Sequence, residues 1–242
     1  MLPSRCLLAA VLAAAQVLAE VPGAAVPHPS GEEERPEGFH WGRAAWQSFL
    51  FLGIEHSFRL TQAKTRSEFH GKFFRDYALS VRNLGGWGDG DSPLTNYIAH
   101  PMQGAVAGFV QIQNDPSGIT QEFGRSGAYW RSRFKSMAWS ALYSTQFEIG
   151  PVSEATIGNV GKKKGTSGYT DLVMTPVGGL GITILEDAVD RFLLRRLERP
   201  GRGENWQCIL RVALNPQRSM ANVLRLRWPW HRDTRHLSQA NP

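Results

Sequence analysis

Residues Trp41–Leu60 read WGRAAWQSFLFLGIEHSFRL. Apolar residues recur in it every three or four positions, at Ala45, Phe49, Leu52 and, after a further interval, Phe58. A repeat of this period places side chains along one face of an α-helix, because the helix turns once in 3.6 residues. The stretch therefore predicts a helix over its whole length.

Helical patterns continue along the rest of the chain, and no run of alternating residues supports a β-barrel. Residues 205–214 fit either a helix or a strand. Pro176 predicts a kink or break in the apolar helix around it, because proline lacks the N–H that the preceding turn needs. We expect a mainly α fold, a single irregular helical bundle of about five to seven helices with a broken helix near Pro176. The further helical segments are 69–84, 97–112, 120–149, 171–197 and 219–226.

The N-terminus has the organisation of a secretory signal. A short start that ends at Arg5 precedes an apolar run from Cys6 to Leu18, and Ala19 supplies a small residue for cleavage. This arrangement predicts a cleavable signal peptide at residues 1–19. We therefore expect an exported protein, in the periplasm or at the periplasmic face of a membrane.

The remaining chain divides into three parts. Residues 20–40 contain four prolines and a run of three glutamates, a composition that predicts a disordered leader. Residues 41–235 form a single helical domain in this interpretation, and 236–242 a disordered tail. Loss of Cys6 with the signal leaves only Cys208, so the mature chain has no cysteine pair for an intrachain disulfide.

Positive charge is concentrated near the C-terminus. The chain has 27 Lys and Arg against 21 Asp and Glu, a net charge of +6. Residues 191–235 alone hold eleven arginines against three acidic residues, 11 − 3 = +8. Such a segment suggests contact with anionic lipid or lipopolysaccharide phosphate, or a solvated basic face. Nucleic acid is not expected as a partner of an exported chain, and the sequence identifies no protein partner.

Asn96 and His100 lie four residues apart, in the series Asn96-x-x-x-His100-Pro101. This spacing places both side chains on one helical face. His100 is then a proton carrier or metal ligand oriented by Asn96, or a buried histidine whose hydrogen bonds a neighbour satisfies. Upstream, Asp89 and Asp91 in a glycine-rich loop suggest a calcium ligand pair, and the alternative is that Asp91 or Ser92 caps the next helix.

Carboxylates recur in or beside apolar helices. A carboxylate in such surroundings must be paired, protonated or bound to a metal. The alternative to a functional cluster is a set of structural ion pairs with arginines, and the sequence identifies no metal or cofactor. The candidate catalytic residues are His100, Glu148, Asp171 and Glu186, and the candidate binding residues are Asn96, His56 and Glu55.

An ordered series of motifs resembles an uncharacterised family of Gram-negative envelope proteins. The series runs Trp87…Asp91, Asn96…His100-Pro101…Gly104, Glu148…Pro151-x-Ser153, Asp171 and Gly178-Gly179. It covers roughly residues 75–195. The resemblance implies a helical envelope protein and supplies no reaction.

Two classes of function follow from these patterns. The first is a helical envelope protein without a known reaction, associated with the periplasmic face of a membrane. The alternative is a hydrolase-type enzyme on a lipid or cell-wall substrate, with His100 as base and the carboxylates of Glu148, Asp171 or Glu186 as acids or metal ligands. A protein partly embedded in a membrane through short re-entrant helices is a third possibility.

Overall fold

The computed structural model describes residues 38–61, 63–68, 73–155, 168–198 and 204–235. The predicted signal peptide, the predicted tail and residues 20–37 of the predicted leader lie outside these ranges. Phe39 and His40, which the sequence assigned to the leader, already contact the bundle. The ring of Phe39 lies 5.6 Å from that of Trp139, and the His40 N–H donates to the Asn114 carbonyl at 3.0 Å.

The described residues form helices and no strands, which confirms the predicted mainly α bundle. The first helices are α1 (Trp41–Leu60), α2 (Ala63–Glu68) and α3 (Phe73–Asn83). A π-helical turn (Thr95–Ala99) leads into α4 (His100–Gln113), and α5 (Pro116–Ile119) and α6 (Gly127–Ile149) follow. Next come α7 (Thr170–Val189), a π-helical turn (Asp190–Leu194), α8 (Arg195–Leu197), α9 (Glu204–Leu214) and α10 (Pro216–Leu224).

Helix α1 has the bounds that its periodicity predicts, and the ambiguous segment at 205–214 is helical. The structure differs from the expectation at Pro176. This residue lies inside α7, which continues past it to Val189, so the expected break is not a helix end. The consequence is that Asp171 and Glu186 belong to one uninterrupted helix.

Helix α4 is the centre of the bundle. Nearly all of its residues are buried, and α6, α7 and α10 pack around it. Its backbone touches that of α7: a Cβ atom at Gly104 would lie 1.8 Å from the Thr175 carbonyl oxygen, and one at Gly179 would lie 2.6 Å from the Gly104 carbonyl carbon. Only glycine permits this approach at either position.

The buried face of α6 continues this packing by small residues. Ser132, Ser136, Ser140 and Ser144 recur every fourth position, and all four are buried. The Ser144 hydroxyl donates to the backbone carbonyl of Asp171 at 3.1 Å. Small residues at four-residue spacing allow helices to approach closely, a packing mode that is common between membrane helices.

The distribution of polarity is the reverse of that in a typical water-soluble domain. Among the described residues, 31 polar or charged residues are buried against 16 hydrophobic ones, while many large apolar side chains are exposed. Helix α1 shows the inversion clearly, because Gln47 and His56 are buried whereas Trp46, Phe49 and Phe58 are each more than half exposed. Other outward-facing apolar residues are Phe134, Leu142, Val173, Val177, Leu185, Trp206, Ile209 and Val212.

Candidate functional site

Three of the four predicted catalytic residues meet where three helix ends converge. His100 begins α4, Glu148 lies in the last turn of α6, and Asp171 lies in the first turn of α7. One ligand atom from each side chain lies within 4.8 Å of the other two. The His100 Nε2 and Asp171 Oδ1 atoms are 3.4 Å apart, and both residues are buried. We call these three residues the polar cluster.

A chain of hydrogen bonds fixes the orientation of the imidazole. His100 Nδ1 lies 2.9 Å from Gln103 Oε1, and the Gln103 amide donates to Glu55 Oε2 at 3.0 Å. The Tyr143 hydroxyl donates to the same carboxylate oxygen at 2.5 Å. Since the Gln103 amide nitrogen is committed to Glu55, its carbonyl oxygen must accept from Nδ1–H of His100. The Nε2 atom of a neutral His100 then presents a lone pair to the polar cluster.

Asp171 is buried without a hydrogen bond to one of its oxygens. Its Oδ1 atom, which faces His100, has no hydrogen-bond partner, although the residue is only 6% exposed. A neutral imidazole with Nδ1–H and an ionised carboxylate would therefore face each other as two acceptors. Such an arrangement requires a proton or a cation between the two atoms.

The loop that contains Asp89 contacts the start of α7, where the Thr170 N–H donates to the Trp87 carbonyl at 3.1 Å. The Asn96 amide donates to Asp89 Oδ1 at 2.9 Å, and so does the Asp91 backbone N–H at 2.9 Å. Burial raises the pKa of Asp89, but hydrogen bonds with Asp171, the Asp91 N–H and Asn96 outweigh it, so the pKa lies below its ordinary value. Asn96 thus orients Asp89 rather than His100. The Ser92 hydroxyl accepts from the Thr95 N–H at 3.2 Å, which is the capping predicted for this loop.

The other candidate binding residues lie on α1, beside the polar cluster. Glu55 takes part in the chain that ends at His100, whereas His56 contacts Phe147 and the backbone of Val152. The His56 ring stacks on Phe147 at 5.2 Å, and its Nε2 lies 3.2 Å from the Val152 carbonyl oxygen. Glu55 therefore acts on His100 through Gln103, and His56 has a separate set of contacts.

Glu186 lies at the other end of α7. It is 15 residues from Asp171 on the same helix, a separation of about 22 Å at 1.5 Å per residue. Its carboxylate accepts from the Gln217 N–H at 2.9 Å and from the Arg218 N–H at 3.1 Å. Glu186 therefore binds the N-terminal end of α10, and the structure does not bring it to the other three candidates.

A second polar cluster surrounds that end of α7, and it consists of ion pairs between carboxylates and arginines, the alternative that the sequence left open. Arg133 donates to Asp187 at 2.7 Å, with both side chains buried. Arg211 forms two hydrogen bonds with Glu198, and Arg235 contacts the same carboxylate. Burial raises the pKa of Glu198, but these two arginines outweigh burial and lower it below its ordinary value. Further ion pairs join Asp190 to Arg232 and Arg235, Asp187 to Arg218, and Asp233 to Arg225.

An apolar groove of about 430 Å³ lies between α1 and α6, close to the hydrogen-bonded chain that ends at His100. Its walls include Phe49, Leu52, Trp139 and Leu142, and Tyr143 contributes both to this wall and to the contact with Glu55. The groove, the Glu55 carboxylate and His100 are thus connected through Tyr143 and Gln103. No family model, curated protein or solved structure matches the chain.

Proposed function

We propose that the protein is an exported, membrane-embedded helical protein of the cell envelope, whose outward helix faces contact lipid. The observation that carries this proposal is the inverted polarity of the bundle. Between Trp46 and Leu60, the exposed residues of α1 are apolar apart from glycine and Ser57. Arg59, in the same stretch, forms an ion pair with the buried Glu154 at 2.8 Å.

Helix α7 with its C-terminal extension supports the same proposal. Among the described residues, Thr170–Leu197 is the one helical stretch long and apolar enough to cross a membrane, with a mean hydropathy of 1.4. The core helix of a soluble protein can pass this test, but such a helix is mostly buried, and only 33% of this apolar window is buried. Lipid contact would stabilise the exposed apolar side chains and would favour the ion pairs and small-residue contacts inside the bundle.

The basic C-terminal segment contributes less surface charge than its sequence suggests. Arg211, Arg218 and Arg232 contact carboxylates inside the structure, whereas Arg196 and Arg227 are exposed. Trp228 is exposed beside Arg227 and stacks on Trp230 with ring centroids 5.0 Å apart. Tryptophan and arginine together are typical of a membrane interface, so contact with anionic lipid headgroups at this end is part of the proposal.

Spin labels at single cysteines test lipid contact directly. In a Cys208→Ser background, labels at Phe49→Cys and Leu185→Cys should collide with oxygen more than with a water-soluble nickel complex after reconstitution into vesicles. A label at Thr234→Cys, on an exposed turn, is the matched control and should show the opposite preference. Equal access of the nickel complex to all three positions would contradict lipid contact.

A hydrolase-type enzyme is the second candidate function, and the convergence of His100, Glu148 and Asp171 favours it. His100 Nε2 would accept a proton from the attacking water, and the two carboxylates would serve as acid or ligands. The nearby apolar groove suits the acyl chain of a lipid substrate. Loss of hydrolysis of envelope lipids in His100→Gln, with an unchanged melting temperature, would support this candidate. Retained hydrolysis would exclude His100 as the base.

A further inference from the structure

We propose that His100, Glu148 and Asp171 bind one divalent transition-metal cation, with Zn²⁺ as the best match. The proposal goes beyond membrane insertion and does not depend on it, and it replaces the role of His100 as a base, because Nε2 would bind the ion. One imidazole nitrogen and two carboxylates form a ligand set that zinc uses in proteins, and three protein ligands leave a fourth position for water or substrate. A calcium site would need six to eight oxygen ligands and would not favour the imidazole.

The spacing of the ligand atoms fits a tetrahedral ion. Zinc binds nitrogen and oxygen at about 2.0–2.1 Å, so two ligands of a tetrahedron lie about 3.3–3.4 Å apart. The His100 Nε2 and Asp171 Oδ1 atoms are 3.4 Å apart. The third ligand atom, from Glu148, lies within 4.8 Å of both, so it must move closer by up to about 4.8 − 3.4 = 1.4 Å to complete a tetrahedral site.

The surroundings of His100 are those of a metal-ligating histidine. Such a histidine donates its second ring N–H to a carbonyl or carboxylate oxygen, which fixes the tautomer and turns the free lone pair towards the ion. Here Nδ1–H donates to the Gln103 carbonyl oxygen, and Glu55 with Tyr143 holds that amide in place. The lone pair on Nε2 consequently points at the two carboxylates.

The charge of the cluster is also consistent with a bound cation. Among the described residues, no lysine or arginine forms an ion pair with Glu148 or Asp171, and the nearby Arg59 pairs with Glu154. Asp171 Oδ1 is buried without a hydrogen-bond partner. An ordinary ion pair with protonated His100 would place the two atoms at about 2.7–2.9 Å, closer than the observed 3.4 Å. A bound metal ion accounts for both the separation and the missing partner.

Titration with zinc chloride tests the site. The full-length protein, purified in detergent micelles and stripped with a chelator, should bind one Zn²⁺ per chain in calorimetry. Asp171→Asn and Glu148→Gln keep the side-chain shape and should weaken binding by about 100-fold or more. Gln103→Leu should weaken it by about 10–100-fold, as expected for the loss of a partner behind a ligand. His231→Gln, which removes an imidazole outside the cluster, should leave the affinity unchanged.

The visible absorption of bound Co²⁺ supplies a second measurement of metal binding, which does not rely on calorimetry. Co²⁺ in a tetrahedral site with one nitrogen and oxygen ligands gives visible absorption bands, which should appear in the wild-type protein and disappear in Asp171→Asn. Circular dichroism of each variant separates loss of the site from loss of the fold. Wild-type protein without saturable Zn²⁺ binding, or binding that survives both carboxylate substitutions in folded protein, would overturn the proposal. The titration in micelles tests metal binding alone, and the spin labels in vesicles test lipid contact alone. A negative result in one experiment therefore leaves the other proposal intact.

Discussion

Replacement of Gly179 by alanine should push α4 and α7 apart. The new Cβ atom would lie 2.6 Å from the Gly104 carbonyl carbon and 2.8 Å from the Ala105 nitrogen. Both atoms belong to the backbone of α4, so no side-chain rotation relieves the contact. Ordinary contact begins at 3.4 Å, and the helices must therefore separate by about 3.4 − 2.6 = 0.8 Å. At Gly104, where the Thr175 oxygen is 1.8 Å away, the same calculation gives 1.6 Å.

The expected loss of stability follows from a comparison with Gly181, a second glycine on the same helix. Overpacking of a tight interface costs about 1–3 kcal/mol, whereas alanine in place of a helical glycine stabilises by about 0.5–1 kcal/mol. Gly181 is also in α7, and a Cβ atom there meets nothing within 4 Å. Gly181→Ala thus measures only the stabilisation that alanine gives a helix in place of glycine, without a steric clash. The difference between Gly179→Ala and Gly181→Ala isolates the clash and should be about 1–3 kcal/mol, with Gly104→Ala at the upper end or above.

Thermal unfolding in detergent micelles, followed by circular dichroism, measures this difference. For a domain of about 200 residues, 1 kcal/mol shifts the melting temperature by about 2–4 °C. Gly179→Ala should therefore melt about 2–12 °C below Gly181→Ala, which should melt at or slightly above the wild type. Equal melting temperatures for the two variants would refute the close contact between α4 and α7.

Three further predictions concern other parts of the chain. The pKa of Glu198 is lowered from 4.5, so its contribution to stability is present above pH 4.5 and is lost as the pH falls through the lowered pKa. The melting temperature should accordingly fall on acidification below pH 5, and less steeply in Glu198→Gln. Arg133→Met should destabilise the bundle by about 1–3 kcal/mol in a denaturant titration, because Asp187 would keep Arg218 and Tyr129 but lose its buried partner, and a loss below 1 kcal/mol would count against that ion pair. Intact-mass measurement of envelope protein should find a chain that begins near Glu20, and recovery of the uncleaved chain would contradict the predicted signal.

The sequence predicted the helices well because periodicity is a local property. It did not predict which face of α1 would be buried. Of the residues that define its repeat, Leu52 is buried, but Phe49 and Phe58 face outwards. A period of 3.6 shows that one face is apolar, and only the surroundings decide whether that face meets the protein interior or another apolar phase.

The composition of the polar cluster was partly predictable for a related reason. His100, Glu148 and Asp171 each lie at the end of an apolar helix, and the structure brings those ends together. The expected break at Pro176 allowed Glu186 to join them, whereas the continuous α7 holds it about 22 Å away. Gln103 was missed although it carries a readable signal, since it lies three residues after His100 and therefore on the same helical face.

The two polar clusters have a spacing that is consistent with insertion into a membrane. Between Asp171 and Glu186, residues 172–185 of α7 contain no charged side chain. These 14 residues span about 21 Å, and the whole distance from the polar cluster to Asp190 is about 28 Å, close to the roughly 30 Å of a bilayer's hydrocarbon core. Insertion of the bundle with α7 near the membrane normal would place the His100 cluster near one interface and the arginine-rich cluster near the other. The proposed metal site would then be accessible to water-soluble cations from one side of the membrane only, because the apolar helix faces and the buried arginine cluster separate it from the other side.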